Sequence, residues 1–122
     1  ERMAKPGVET SIGAKRDPQF GPVIMFGLGG IFVEIFKDVS FRVAPIEKGD
    51  AMEMINELKA LPLLKGARGR KPVDLDSISE SLIKASRLIV ENDAVEELDL
   101  NPTIGYEDGC KVVDARVILK RG

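Results

Sequence analysis

Residues 95–119 read VEELDLNPTIGYEDGCKVVDARVIL, and the way this stretch turns back on itself decides the fold. Val95 to Leu100 has the composition of a strand, and so does Lys111 to Leu119. Between them lie Asn101-Pro102 and the turn residues Glu107-Asp108-Gly109, a β-hairpin signal. Side chains two apart on a strand share a face, so Asp99 and Asn101 point together, as do Asp114 and Arg116. With Glu107-Asp108 as a two-residue loop, Asn101 lies opposite Asp114. With Asp108-Gly109 as the turn, Asn101 faces Arg116, one step from Asp114. Both registers put Asn101 and Asp114 on one face. A three-residue loop, or a bulge at Pro102, would separate them.

Two carboxylates, an amide oxygen and a guanidinium on one face do not suit a packed interior, because unpaired buried charge is too costly. Hard oxygen ligands suit Mg²⁺, which takes one or two carboxylates and completes its shell with phosphate and water. The alternative is a solvated sheet face carrying an Asp–Arg pair.

Upstream, Val8 to Lys15 follows the Pro6-Gly7 turn signal and reads as a strand, broken at Asp17-Pro18. Pro22 to Phe26 is an apolar run, expected to be a strand buried on both faces. Gly27-Leu28-Gly29-Gly30 reads as a hinge or loop. Ile31 to Phe36 resumes an apolar pattern with Glu34 inside it, and Val39 to Ala44 is a further strand that Pro45 ends. The period then lengthens. Asp50-Ala51-Met52-Glu53 reads as a capping box with Asp50 at the N-cap. Ala51, Met54, Ile55 and Leu58 share one helical face, and Pro62 ends or restarts that helix. After the basic loop of Lys65, Arg68, Arg70 and Lys71, a helix is expected from Asp74 to Asn92. Leu75, Ile78, Leu82, Ala85 and Ile89 form its buried stripe. The class is α+β, a mainly antiparallel sheet with helices packed on one face and a closing β-hairpin. No internal repeat or low-complexity tract interrupts it.

The 122 residues fit one domain, and 43% apolar with 31% charged residues is a globular balance. Eighteen basic and 20 acidic residues leave a net charge of −2. With a pI near 5.3, that argues against a nucleic-acid partner. No segment reads as a membrane span or secretory signal. Cys110 is the one cysteine and there is no histidine. This excludes an intrachain disulfide, a Cys/His zinc site and a nucleophile–histidine relay built from this chain alone. A lone cysteine fits a reducing, cytoplasmic setting, and Cys110 has no base beside it to activate it. The opening Glu1-Arg2-Met3 suggests a piece of something longer.

Glu97-Leu98-Asp99-Leu100-Asn101-Pro102, followed by Val113-Asp114-Ala115-Arg116, resembles the metal-binding hairpin of the ATP-grasp fold. Phe20-Gly21-Pro22-Val23-Ile24-Met25-Phe26-Gly27-Leu28-Gly29-Gly30-Ile31-Phe32-Val33-Glu34, then Asp38-Val39-Ser40-Phe41-Arg42, is similar to the β subunit or domain of ADP-forming (NDP-forming) acyl-CoA synthetases of the acetate–CoA ligase type, relatives of succinyl-CoA synthetase. The likeness runs from Met3-Ala4-Lys5-Pro6-Gly7 to Leu119. It implies that residues 1–122 are a single unit, the C-terminal lobe of an ATP-grasp fold, with the N-terminal lobe absent. It also implies the reaction acyl-CoA + ADP + phosphate ⇌ carboxylic acid + CoA + ATP, through an acyl phosphate and a phosphohistidine. Cofactors are then Mg²⁺ and ATP/ADP. Partners are the nucleotide, an upstream ATP-grasp lobe and a CoA-binding α subunit or domain, in a hetero- or homo-oligomer.

By the same resemblance, Asn101 and Asp114 are Mg²⁺ ligands. Asp99 takes the place of a glutamate common in ATP-grasp proteins, with a shorter reach toward metal. Glu9 matches a glutamate turned toward the nucleotide ribose. Gly27, Gly29 and Gly30 are candidates for a phosphate nest, or else for a tight turn at positive φ. Glu34 is a candidate catalytic carboxylate aimed at the phosphate relay, or an outward strand residue. Arg42 is a candidate phosphate-binding cation, or half of a structural ion pair. Two other functions remain open at this level. One is a non-catalytic homologue, such as the ligand-sensing domain of an acyltransferase fusion; the other is an interaction module docking through a sheet edge.

The missing histidine generates a prediction. The purified 122-residue chain is expected to form no ATP from acetyl-CoA, ADP and phosphate in a coupled assay, and measurable turnover would overturn that reading.

Overall fold

The computed structural model describes residues 7–29, 38–66 and 72–121. The expected strand Ile31 to Phe36, Gly30, Glu34, Arg68, Arg70 and Lys71 lie outside them. The elements in chain order are β1 (Val8–Asp17), β2 (Gly21–Leu28), β3 (Val39–Val43), α1 (Lys48–Asn56), α2 (Leu61–Leu64), α3 (Leu75–Glu91), β4 (Val95–Tyr106), β5 (Gly109–Val112) and β6 (Arg116–Leu119). The six strands form one sheet in the order β3-β2-β1-β4-β5, with β6 paired beside β5's stretch on β4. Every pairing is antiparallel.

Strand alternation divides this sheet into two unlike faces. Ile12, Ala14, Ile24, Phe26 and Leu98 are at most 3% exposed and meet the helices. In α3 the expected stripe is in place. Ile78, Leu82, Ala85 and Ile89 are at most 2% exposed, and Leu75 is half-buried against the same core. Each buried Ile or Leu contributes about 1.5–3 kcal/mol relative to exposure. The α1 face is equally legible: Ala51, Met54, Ile55 and Leu58 are all buried.

Polar groups close the ends of these elements. The Asp74 carboxylate accepts from the Ser77 N–H at 3.1 Å and starts α3 where the sequence places it. Arg16, on the helix-facing side of β1, finishes that helix. Its Nε donates to the Val95 carbonyl at 2.8 Å and its Nη2 to the carbonyls of Ile89 and Asn92. Buried Asp38 accepts from the Lys59 and Ala60 N–H groups at 2.7 and 2.8 Å, tying the start of β3 to the turn before α2. Ser86 Oγ accepts from the Ile46 N–H at 2.9 Å, joining α3 to the segment that leads into α1.

Five local expectations are corrected. The first concerns α1, which begins three residues before the expected point. Glu47 is its N-cap, and Asp50, at the third helical position, accepts the Glu47 N–H at 2.9 Å. Asp50 thus plays the part assigned to Glu53, because glutamate is not among the usual capping residues. Gly27 and Leu28 belong to β2 rather than to a hinge, paired with Ser11 and Thr10. The strand β2 is not buried on both faces: Met25 is 37% exposed, opposite buried Ile24 and Phe26. Continuing through Pro102, β4 meets β1 with a register shift between Thr10 and Ile12. The return strand is two pieces, β5 and β6, with residues 113–115 outside the ladder. Pro62 restarts the helix as α2.

On β3, Arg42 reaches the Glu57 carboxylate just past α1, and Glu53 at 3.4 Å. The hydrogen bond from Arg42, with its charge, holds the Glu57 carboxyl below the usual glutamate range. A depressed folded pKa stabilises the fold above the unfolded value of about 4.3, and that gain disappears as pH falls through the folded value. Because Glu57 is half-exposed, the pair is worth only about 0.5 kcal/mol. Glu57→Gln should therefore cost about that much at pH 7 in urea melts. The difference from the parent should shrink below the ordinary glutamate range, and a pH-independent difference would contradict this account.

Candidate metal and nucleotide-phosphate site

Among the described residues the sheet face away from the helices is open around Phe41, Val43 and Lys15, and the strand register writes its composition as rows. The first runs Val39, Gly27, Ser11, then the Asn101-Pro102 irregularity of β4. The second runs Phe41, Met25, Gly13, Asp99, Arg116. The third runs Val43, Val23, Lys15, Glu97, Ile118. A cavity of about 600 Å³ lies over the second and third rows, with Phe20, Met25, Phe41, Lys15, Glu97 and Asp99 in its wall.

The first row is the chemically distinctive one. The turn is Glu107-Asp108: Tyr106 pairs with Gly109 and Thr103 with Val112. Beyond the break the same register returns, with Asp99 beside Arg116 and Leu98 beside Val117. The Val113 N–H donates to the Pro102 carbonyl at 2.9 Å, which keeps the strands in step across the gap. Equal numbers of residues fill the break on both strands, so Asp114 falls beside Asn101, the first of the two registers open from sequence. Both residues are exposed. The β4 irregularity changes the pairing with β1 while leaving the hairpin register intact.

Glu9 and Gly29 meet at the same end of the sheet. The Gly29 N–H donates to the Glu9 carbonyl at 2.9 Å. A Cβ on Gly29 would stand 3.2 Å from Glu9 Cγ, so glycine is what lets the two strands' ends close together. The glycine readings are corrected here. Gly27 sits in the ladder, and the Gly29 N–H is spent on Glu9 rather than offered to a phosphate. Neither has positive φ. Gly27 is buried in the ladder and pairs with Ser11.

Arg42 is also among the residues lining this cavity, but its guanidinium is engaged on the helix side. It is held in the ion pair with Glu57 and Glu53, the structural alternative weighed above. The Asp99 carboxylate accepts from Arg116 Nη2 at 3.2 Å. Ser11, Gly13, Lys15 and Phe20 are site-face residues that sequence reasoning passed over. Their signal was present in β1, where polar Glu9, Ser11, Lys15 and Asp17 alternate with Thr10, Ile12 and Ala14.

The donor set fits a hard cation. An amide oxygen and a carboxylate leave most of an Mg²⁺ shell to other oxygens. Among the described residues no group of three or more His, Cys, Asp or Glu could hold a metal by itself. No helix among the described residues is long and apolar enough to cross a membrane.

Comparison with known proteins agrees with this geometry. A profile of the ATP-grasp domain matches residues 1–119. The chain is 57% identical over 118 residues to acetate–CoA ligase (ADP-forming) I subunit beta of Pyrococcus furiosus, covering 97% of this chain and 51% of that subunit. It is 50% identical over 119 residues to acetate–CoA ligase (ADP-forming) I of Archaeoglobus fulgidus, covering 98% of this chain and 17% of that protein. A solved structure of the dinucleotide-forming acetyl-coenzyme A synthetase 1 of Ca. Korarchaeum cryptofilum superposes with a TM-score of 0.92 at 60% identity. It covers 97% of this chain and 55% of that one, and holds coenzyme A and Mg-AMPPCP with its phosphohistidine segment pointing towards the nucleotide-binding site. This chain thus spans about half the length of the Pyrococcus subunit it matches. With the sheet, the hairpin register and these matches in agreement, the chain belongs to the ATP-grasp domain family, and within it matches the beta subunit of ADP-forming acetate–CoA ligase.

Proposed function

We propose that this chain is the C-terminal ATP-grasp lobe of an ADP-forming acyl-CoA synthetase, holding Mg²⁺ and the nucleotide phosphates while a phosphoryl group moves. The observation that carries the reading is the hairpin register that sets Asn101 beside Asp114 on the uncovered sheet face. The whole enzyme interconverts acyl-CoA, ADP and phosphate with the free acid, CoA and ATP. An upstream lobe completes the nucleotide cleft, and a CoA-binding subunit or domain completes the cytoplasmic oligomer. The Korarchaeum relative's coenzyme A and Mg-AMPPCP complex supports this division of labour.

The residues have distinct tasks. Asn101 Oδ1 and the Asp114 carboxylate hold the Mg²⁺. When bound, the ion neutralises charge on the phosphate oxygens, the principal need of such a transfer. The Gly27–Ser11 pair borders the phosphates, and fixed placement of the reacting groups supplies much of the rate. The Glu9 carboxylate, at the same end of the sheet, accepts from the ribose hydroxyls. Glu34 serves the phosphate relay from the segment after Gly29. The Asp99 carboxylate, grouped with the metal ligands by the resemblance, is held by Arg116.

An Asp114→Asn substitution in the intact enzyme keeps the shape and removes one charge. The half-saturating Mg²⁺–nucleotide concentration should rise about tenfold, equivalent to about 1.4 kcal/mol. Stability should change by less than about 0.5 kcal/mol, since the residue is exposed. Steady-state kinetics across an Mg²⁺ series, with thermal melts, measure both. An enzyme with unaltered Mg²⁺ dependence would overturn the assignment.

A further inference from the structure

Asp99 stands one row from Asn101 and Asp114, yet its carboxylate is engaged elsewhere. Oδ2 takes a hydrogen bond from Arg116 Nη2 at 3.2 Å. Oδ1 lies over Gly13, where an added Cβ would come within 3.6 Å of it and 3.2 Å of Met25 Cε. The tight neighbour is Met25, and the Asp99 carboxylate lies at ordinary contact distance over Gly13. The Arg116 side chain is 69% exposed, whereas that of Asp99 is 35% exposed and in the cavity wall. The ordered partner is the acid, and the exposed partner is the base.

Arg116 also lies two residues past Asp114, about 6–7 Å farther along the return strand. A guanidinium carries five N–H donors in a planar fork, and Asp99 uses Nη2. The exposed Arg116 side chain has its remaining donors available to a ligand. Bidentate hydrogen bonding to phosphate is what that fork does better than an ammonium.

From these positions we infer that Arg116 is a phosphate-binding residue of the open face, gripping the phosphoryl group in transfer next to the metal. Asp99 is its positioning residue and not a metal ligand. This deepens the function proposed above and rests on it. The metal set is then the Asn101–Asp114 pair alone. The Arg116 charge, rather than a second carboxylate, borders the transferring oxygens.

Variants of the intact enzyme separate the roles: Arg116→Gln, Arg116→Lys and Asp99→Asn, with Asp114→Asn as the metal-site control. Each is assayed for kcat, KM for ADP and half-saturating Mg²⁺, and its fold is checked by thermal melting. Arg116→Gln should lower kcat at least tenfold and raise the KM for ADP. Arg116→Lys should restore part of the loss, because the charge returns without the fork. Asp99→Asn should fall in the same direction by a smaller factor. None of the three should move half-saturating Mg²⁺ more than twofold. A full-rate Arg116→Gln enzyme would overturn the inference and leave an exposed ion pair only. So would an Asp99→Asn enzyme whose Mg²⁺ requirement rises tenfold while Arg116→Gln behaves like the parent, since Asp99 would then be a ligand. An unchanged Mg²⁺ dependence in Asp114→Asn would instead strike the metal-site reading, so the two failures are distinguishable.

Discussion

The structure depends on the count of residues in one turn. Two residues, Glu107 and Asp108, join β4 to β5, and that count sets the hairpin pairings from Tyr106–Gly109 to Glu97–Ile118. A strand has a side-chain period of two, so one added residue would send the whole return strand to the opposite face. Asp99 would lose Arg116, and Asn101 would lose Asp114. The break at residues 113–115 does not disturb this, because it is matched on β4 and bridged by the Val113–Pro102 hydrogen bond. The ladder opens at exposed Asn101 and Asp114 with the same register on both sides of the gap, and a second shift lies between Val95 and Glu97.

Around that hairpin the sheet separates stability from chemistry. One face is sealed by α1 and α3 through fully buried Ile12, Ile24, Phe26, Ile78, Leu82 and Ile89. Its polar contacts are anchors: Arg16 on the end of α3, Asp38 on the turn before α2, and Ser86 on the Ile46 N–H. The other face carries Lys15, Glu97, Asp99 and Arg116 among apolar groups left uncovered, Phe41 and Met25. Charge that would be costly inside the core is tolerated there because solvent or ligand meets it. Glycine at 29 lets the strand ends approach, and Gly27 pairs with Ser11 in the ladder.

Much of this was legible in the sequence, for identifiable reasons. The α3 stripe is read well because a 17-residue helix repeats its period several times, and Asp74 is an ordinary cap. The hairpin reading offered two registers of one parity that agree on Asn101 and Asp114, with a three-residue loop or a bulge at Pro102 as the alternative that would separate them. Where reading stopped short, two solutions had the same residues. The β2 run is apolar on both faces, and nothing local says that only one face is covered. Gly27 and Gly29 look like a phosphate loop until the ladder to β1 claims them. Glu47 is an atypical cap, so the start of α1 was placed at Asp50. Arg42 could serve a phosphate or a helix, and only three-dimensional proximity to Glu57 and Glu53 decides. Asp99 was grouped with the metal ligands by its spacing from Asn101, and its pairing with Arg116 needed the return strand's register.

The central claim is that a cation and nucleotide phosphates sit over the Gly27–Ser11–Asn101–Asp114 end of the open face. The most direct measurement places Mn²⁺ in the intact, isotope-labelled protein with a non-hydrolysable ATP analogue and reads paramagnetic line broadening residue by residue. The account predicts the strongest broadening at Ser11, Asn101 and Asp114, dependent on nucleotide. The weakest effects should be at Gln19 and Phe20, at the far end of β1. Broadening centred on the helix-covered face, or on the far end of the sheet, would contradict it.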